Sequence, residues 1–309
     1  MKADPSNLQL HDDLAVAYQK TGKTDKAIEV MLAKETIKPG VYETYSNLGT
    51  FYILKGEFAK GLPYIDKALA INPDAHFGRE KYQKWLVEYA MTRKGFPMRD
   101  TERFSGGGFA QYLAGRGGAL TLEQLQSAVK GVSGMIRFAD YDNPLLLEAL
   151  GDLLEAGQME VNASHLAARC YLLASYRMND ETAKAGYREL ADNTLEHTGI
   201  VANDGEEVGG PGRRAIDFLE RDLKLESADA DAWYANLKAK EVAWIQDGAN
   251  VEEHFDRLYR EEPVIDLPTS PAPRWWHFEP WQWMLIGVGF LMAAGLVTWG
   301  VKRLMQLIA

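Results

Sequence analysis

The six histidines, at positions 11, 76, 165, 197, 254 and 277, are the first residues that could bind a metal or move a proton. None sits in an H-E-x-x-H pair or follows a glutamate at the E-x-x-H spacing of helical di-metal sites. The stretch EEHFDRLYREE crowds carboxylates around His254, but it lacks ligand spacing and reads as a solvated helix face. Cys170 is the single cysteine, which excludes disulfides and cysteine-based zinc sites within the chain. It shares helical spacing with Leu166 and Leu173 and reads as a small buried hydrophobe. The glycine runs SGGGFA and GRGGAL carry no G-K-[ST] and follow no strand, so they do not read as phosphate cradles. No G-x-S-x-G or Cys–His nucleophile arrangement is present. With no catalytic residue, no metal ligand and no cofactor site, the chain reads as a binding protein rather than an enzyme.

Composition narrows what it can bind. The formal charge over 309 residues is −10, and no basic stripe runs along any segment, which argues against a nucleic-acid partner. Arg93, Lys94, Arg99 and Arg103 lie among Gly, Pro and acids and read as a solvated loop. At 46% hydrophobic residues the chain can bury one large core or two small ones.

The elements that would position a binding surface come from an internal repeat. Pro5, Pro39 and Pro73 are spaced by 34 residues each time. Between them Leu14-Ala15 aligns with Leu48-Gly49, Tyr18 with Tyr52, Gly22 with Gly56 and Ala27 with Gly61. Such a period means stacked helix pairs. Small residues let two antiparallel helices approach, glycine makes the turn and proline stops the second helix. The stretch SNLGTFYILKGEFAKGLPYIDKALAINP resembles the tetratricopeptide repeat family through Tyr45, Leu48, Gly49, Tyr52, Gly56, Phe58, Ala68 and Pro73. The preceding stretch matches less fully, with Lys34 where that family usually has a small residue. Because Pro5 takes the stop position of a repeat whose helices are missing, we expect the natural chain to extend upstream.

The expected architecture is all-α: a solenoid of stacked helix pairs of this kind, followed by one C-terminal transmembrane helix. Residues 1–92 hold the repeats, the first of them truncated. Residues 93–143 form a loop-rich insert with one helix, begun by a capping box at Thr121 and Gln124. Residues 144–262 hold degenerate repeats, opened by the Asn143 cap and Pro144. There EALGDLLEAG again resembles the first helix of a pair, and Trp233 stands where the family often has tryptophan. The glycine-rich GIVANDGEEVGGPGRR reads as a loop within this half.

Residues 263–280 are a Pro- and Trp-rich linker, with four prolines in the stretch EEPVIDLPTSPAP. From Trp281 to Val301 there is no charge, enough helix to cover about 31 Å, close to the hydrocarbon thickness of a bilayer. We therefore expect a span over 281–303 and a short tail over 304–309. Trp275, Trp276, Trp281, Trp283 and Trp299 would sit at the interfaces, with Lys302 and Arg303 just after the uncharged stretch at the end of the helix. Gly289 and Ala293 form a small-xxx-small pair suited to close packing against another helix. Two basic residues after the span against Arg274 before it favour a cytoplasmic C-terminus, with the helical body on the other side. The alternative is a tail-anchored receptor whose cytosolic body captures peptides or partners for targeting, and a second is an enzyme of unrecognised type.

The family resemblance implies a concave groove lined by the first helix of each pair. Here those positions are Gln9, Asp12, Val16 and Gln19, then Glu43, Ser46, Thr50 and Ile53. Family members that grip a chaperone's C-terminal carboxylate use a Lys and Asn clamp. Asp12 and Val16 occupy equivalent places and only Asn47 resembles a clamp residue, so that ligand is not implied. The expected function is a membrane-anchored scaffold or adaptor for a protein partner, an accessory subunit of an integral membrane complex, in contact with lipid through its last helix.

Overall fold

The computed structural model describes residues 7–93, 95–98, 108–138, 141–157, 161–196 and 215–260. Among them there are twelve α-helices, one short 3-10 turn and no strand. The first two pairs are α1 (Leu8–Lys20) with α2 (Thr24–Ile37) and α3 (Tyr42–Leu54) with α4 (Phe58–Ile71). Asn7 caps α1 by accepting from the N–H groups of Gln9 and Leu10. Gly22 and Gly56 take left-handed φ values at the two turns, and α2 and α4 both stop shortly before their prolines.

Close approach within a pair has a visible cause. A Cβ on Gly49 would lie 2.4 Å from Ile65 Cδ1, and one on Gly61 would lie 2.9 Å from the Gly49 carbonyl oxygen. Only glycine at both positions lets α3 and α4 meet at this distance. Around them Ala15, Ala27, Ile28, Met31, Leu48 and Phe51 form the first core.

A 3-10 turn (Ala75–Gly78) leads into α5 (Arg79–Met91). The segment expected to be a loop-rich insert with one helix holds two among its described residues, α6 (Gly108–Ala114) and α7 (Leu122–Phe138). The expected capping box is present: Gln124 N–H donates to Thr121 Oγ1 at 3.2 Å, and Thr121 N–H donates to Gln124 Oε1 at 2.9 Å. Far from being peripheral, α6 and α7 supply Phe109, Leu113, Ala128, Val132 and Met135 to a second core. Tyr82, Leu86 and Tyr89 of α5 complete it with Leu146, Ala149 and Leu153 from the next helix, α8 (Pro144–Ala156).

No residue of α8 is exposed, so it is the central helix. On its other side α9 (Val161–Tyr176), α10 (Glu181–Glu196) and the start of α11 (Ala215–Gln246) build a third core around Tyr171, Leu172, Tyr187, Leu190, Leu195 and Ile216. Two bidentate pairs fasten α11 down. Arg169 donates to Glu226 at 2.7 and 3.1 Å, and Arg188 donates to Glu220 at 2.8 and 3.2 Å. Beyond Leu223 α11 leaves the core, and α12 (Val251–Arg260) folds against its far end. Trp233, which stands where the family often has tryptophan, is 52% exposed there, because no neighbouring pair reaches that turn among the described residues.

No described helix is long and apolar enough to cross a membrane. The expected linker over 263–280, the span over 281–303 and its flanking tryptophans lie outside the described residues, as does the glycine-rich loop before α11.

Candidate binding cleft

Between the first helix pairs and the second core lies a cleft of about 460 Å³, within the usual range for sites that hold a ligand or a peptide side-chain cluster. One wall comes from α1 and α3, with Val16, Gln19, Asn47, Thr50 and Ile53. The floor is Phe51, Leu86 and Val87. The far wall is not built of repeat helices: Phe96, Met135, Leu145 and Leu146 come from the turn after α5, from α7 and from the first turn of α8.

Polar groups rim this apolar interior. Gln83 on α5 donates to Thr50 Oγ1 at 3.2 Å, which fixes both side chains. Asn143, which caps α8 through Leu145 and Leu146 N–H, stands on the opposite rim. Among the described residues the cations lining the cleft are Lys20 and Arg79, and no carboxylate lines it. Arg79 is oriented by Glu80, whose Oε1 accepts from it at 3.0 Å.

Four of the eight expected groove residues are here: Val16, Gln19, Thr50 and Ile53. The other four are not, for identifiable reasons. Asp12 is taken by Lys34, whose ammonium lies 2.5 Å from Asp12 Oδ2 and is 1% exposed. The residue that departs from the repeat pattern thus consumes a groove position. Ser46 is buried and donates to Glu80 Oε1 at 3.1 Å. Gln9 donates to Asp13 at the exposed start of α1. Glu43 is exposed in the first turn of α3 and does not line the cleft.

Glu80 anchors the α3–α5 junction. His76 Nδ1 lies 3.1 Å from Glu80 Oε1 and 3.0 Å from the Tyr42 hydroxyl. Burial pushes the Glu80 carboxyl up, but Arg79 and the converging hydrogen bonds outweigh it and hold the group below its ordinary value. Burial, then the Glu80 charge, pushes the Tyr42 hydroxyl the other way, so it stays a donor.

A family model for the tetratricopeptide repeat matches residues 42–75. Those residues are a tetratricopeptide repeat. They cover α3, α4 and the start of the 3-10 turn, and the first helix of this repeat supplies Asn47, Thr50 and Ile53 to the cleft. Repeats of this kind mediate binding to protein partners, and proteins built from them are in general scaffolds rather than enzymes. No curated protein matches the chain.

Sequence reasoning missed two buried acids. Glu148 and Asp152 on α8 are both 0% exposed. Glu148 Oε2 accepts from Met98 N–H at 3.0 Å and from the Tyr187 hydroxyl at 2.7 Å. Asp152 accepts from Phe109 N–H at 2.7 Å and from the Tyr171 hydroxyl at 2.9 Å. Burial and then the Glu148 charge push the Tyr187 hydroxyl well up, so it remains protonated and donating. A signal existed: a helix apolar nearly all round offers its acids no solvated face. Among the described residues no group of three or more His, Cys, Asp or Glu is placed to hold a metal ion.

Proposed function

We propose that this chain is a membrane-tethered scaffold whose cleft holds a segment of a partner protein. The observation that carries this reading is the cleft's makeup: an apolar floor under a rim of primary amides and Thr50, walled on one side by the tetratricopeptide repeat. Apolar side chains of a bound segment fit the floor. Amides, each both donor and acceptor, suit the peptide groups above it.

The tether is the uncharged stretch within 281–303, read from its length and its flanking Trp and basic residues. Gly289 and Ala293 would face a neighbouring span, which suits an accessory subunit of an integral membrane complex. Lys302 and Arg303 would hold the C-terminus in the cytoplasm, with the helical body on the opposite side.

A photo-reactive residue at Gln19 tests the cleft. It should cross-link one partner protein, and Val16→Glu or Ile53→Glu should lower the yield at least about tenfold by placing a charge on the apolar wall. Unchanged cross-linking in both variants overturns the assignment. Release of the chain from vesicles by an alkaline wash overturns the tether. Digestion of the helical body by protease added from the cytoplasmic side would reverse the topology.

A further inference from the structure

The free half of α11 carries a second surface. Its residues Leu237, Glu241 and Trp244 are half-buried, because α12 lies on that face: Trp244 stacks on His254 at 4.6 Å and meets Phe255 edge-on at 5.6 Å. The adjacent stripe, Asp231, Tyr234, Lys238, Val242 and Ile245, steps by three and four along the same helix and so lies on one face. Nothing among the described residues covers it. Tyr234 is 63% exposed, Val242 45% and Ile245 60%. Such a row of large apolar side chains marks an interaction surface.

We propose that this stripe pairs antiparallel with the same stripe of a second copy of the chain. The sequence is complementary to itself about one point, between Tyr234 and Ala235. A two-fold axis there sets Asp231 opposite Lys238 of the second copy, and Lys238 opposite its Asp231. It also sets Tyr234 on the small Ala235 of the second copy, Val242 on its Ser227, and Ile245 along the methylene stem of its Lys224. Each large side chain meets a small or flexible one, and both charges meet their opposites. A parallel, in-register pair would set Asp231 beside Asp231 and Lys238 beside Lys238. The antiparallel form is an isologous interface, in which one patch is used twice. From Lys224 to Ile245 it runs about 33 Å along the helix.

Charge reversal tests this on the full chain in mild detergent, with mass measured by sedimentation over a range of concentrations. The expected result is a two-chain species. Asp231→Lys or Lys238→Asp alone should raise the dissociation constant at least about tenfold, since each sets like charges together twice. The double variant, Asp231→Lys with Lys238→Asp, should restore the dimer. Both positions are exposed, and unchanged helical circular dichroism checks that the fold is intact. A monomer at every concentration overturns the proposal. So does a dimer indifferent to both single reversals, or a double variant as weak as the single ones. The stripe uses no residue of the cleft, so partner cross-linking at Gln19 stands or falls separately.

Discussion

Glu148 and Asp152 sit one turn apart on α8 and hold the backbone N–H groups of Met98 and Phe109, respectively. The two carboxylates thereby hold the turn after α5 and the first turn of α6 to one helix. Each also accepts from a buried tyrosine of the third core, Glu148 from Tyr187 and Asp152 from Tyr171. One helix thus couples two cores through polar contacts in its dry interior. Removing the Asp152 carboxylate strands the buried Phe109 amide and takes from the Tyr171 hydroxyl its shorter bond, leaving it Glu155 Oε2 at 3.3 Å. We expect Asp152→Ala to lower unfolding stability by about 3 kcal/mol and Tyr171→Phe by about 1 kcal/mol. Urea denaturation gives both values, and amide exchange at Phe109 should accelerate in Asp152→Ala.

Gly108 makes the Asp152 contact possible. Its φ is +65°, and a Cβ there would lie 1.9 Å from Asp152 Oδ2. Gly108→Ala should therefore cost at least about 2 kcal/mol. Gly117→Ala, where a Cβ meets open space, should change stability by less than about 0.5 kcal/mol. Thermal melts of the two variants side by side make the comparison.

The Lys34–Asp12 pair predicts a marked non-additivity. Lys34→Ala leaves Asp12, 14% exposed, without its cation and should destabilise by about 3 kcal/mol. Replacing both partners with apolar residues, Lys34→Met with Asp12→Leu, should fall within about 1 kcal/mol of the parent. A double-mutant cycle by chemical denaturation measures the coupling.

Cys170 should be inert while the chain is folded. It is 3% exposed, and burial pushes its thiol up to about 12. Alkylation by a maleimide at neutral pH should be about 100-fold slower or more than in denaturant, because reaction waits on opening of the third core. Mass spectrometry of the labelled chain reads the rate.

Acid should loosen α11 before the rest of the third core. Hydrogen bonds from Arg188, with Tyr176 and Lys224 adding to them, hold the Glu220 carboxyl down at about 2, against an ordinary value of 4.5. A depressed carboxyl stabilises the fold above the unfolded value and loses that contribution as pH falls toward the folded one. Exchange of amides over Ile216–Leu223 should rise between pH 4.5 and about 2. Glu220→Gln should flatten that dependence.

The repeat was legible because its determinants are local. Gly49 and Gly61, the turn glycines and the 34-residue proline period each act within one helix pair, and the family match falls on the clearer copy. That Val16, Gln19, Thr50 and Ile53 line the cleft follows from the same local cause, helical phase within each pair. What escaped depends on contacts distant in sequence. Nothing in the first pair announces that Lys34 reaches back to Asp12, or that Ser46 meets Glu80 across 34 positions. GGGFAQYLAG reads as loop because glycine dominates it, yet α6 forms where the Asp152 carboxylate meets the Phe109 N–H. Trp233 fits a repeat signature by type, but α11 runs past its neighbours and leaves the ring in solvent.

The cleft's floor and walls draw on two different cores. Phe51 belongs to that of the first helix pairs, whereas Leu86, Met135 and Leu146 belong to that around α5 to α8. Whatever settles between them acts as a staple across the seam. An occupant adds contacts across the seam to those that Ser46 makes with Glu80 and Gln83 with Thr50, and so draws together the temperatures at which the two cores melt. The sharpness of a calorimetric transition is therefore a gauge of occupancy, readable before the occupant has been identified.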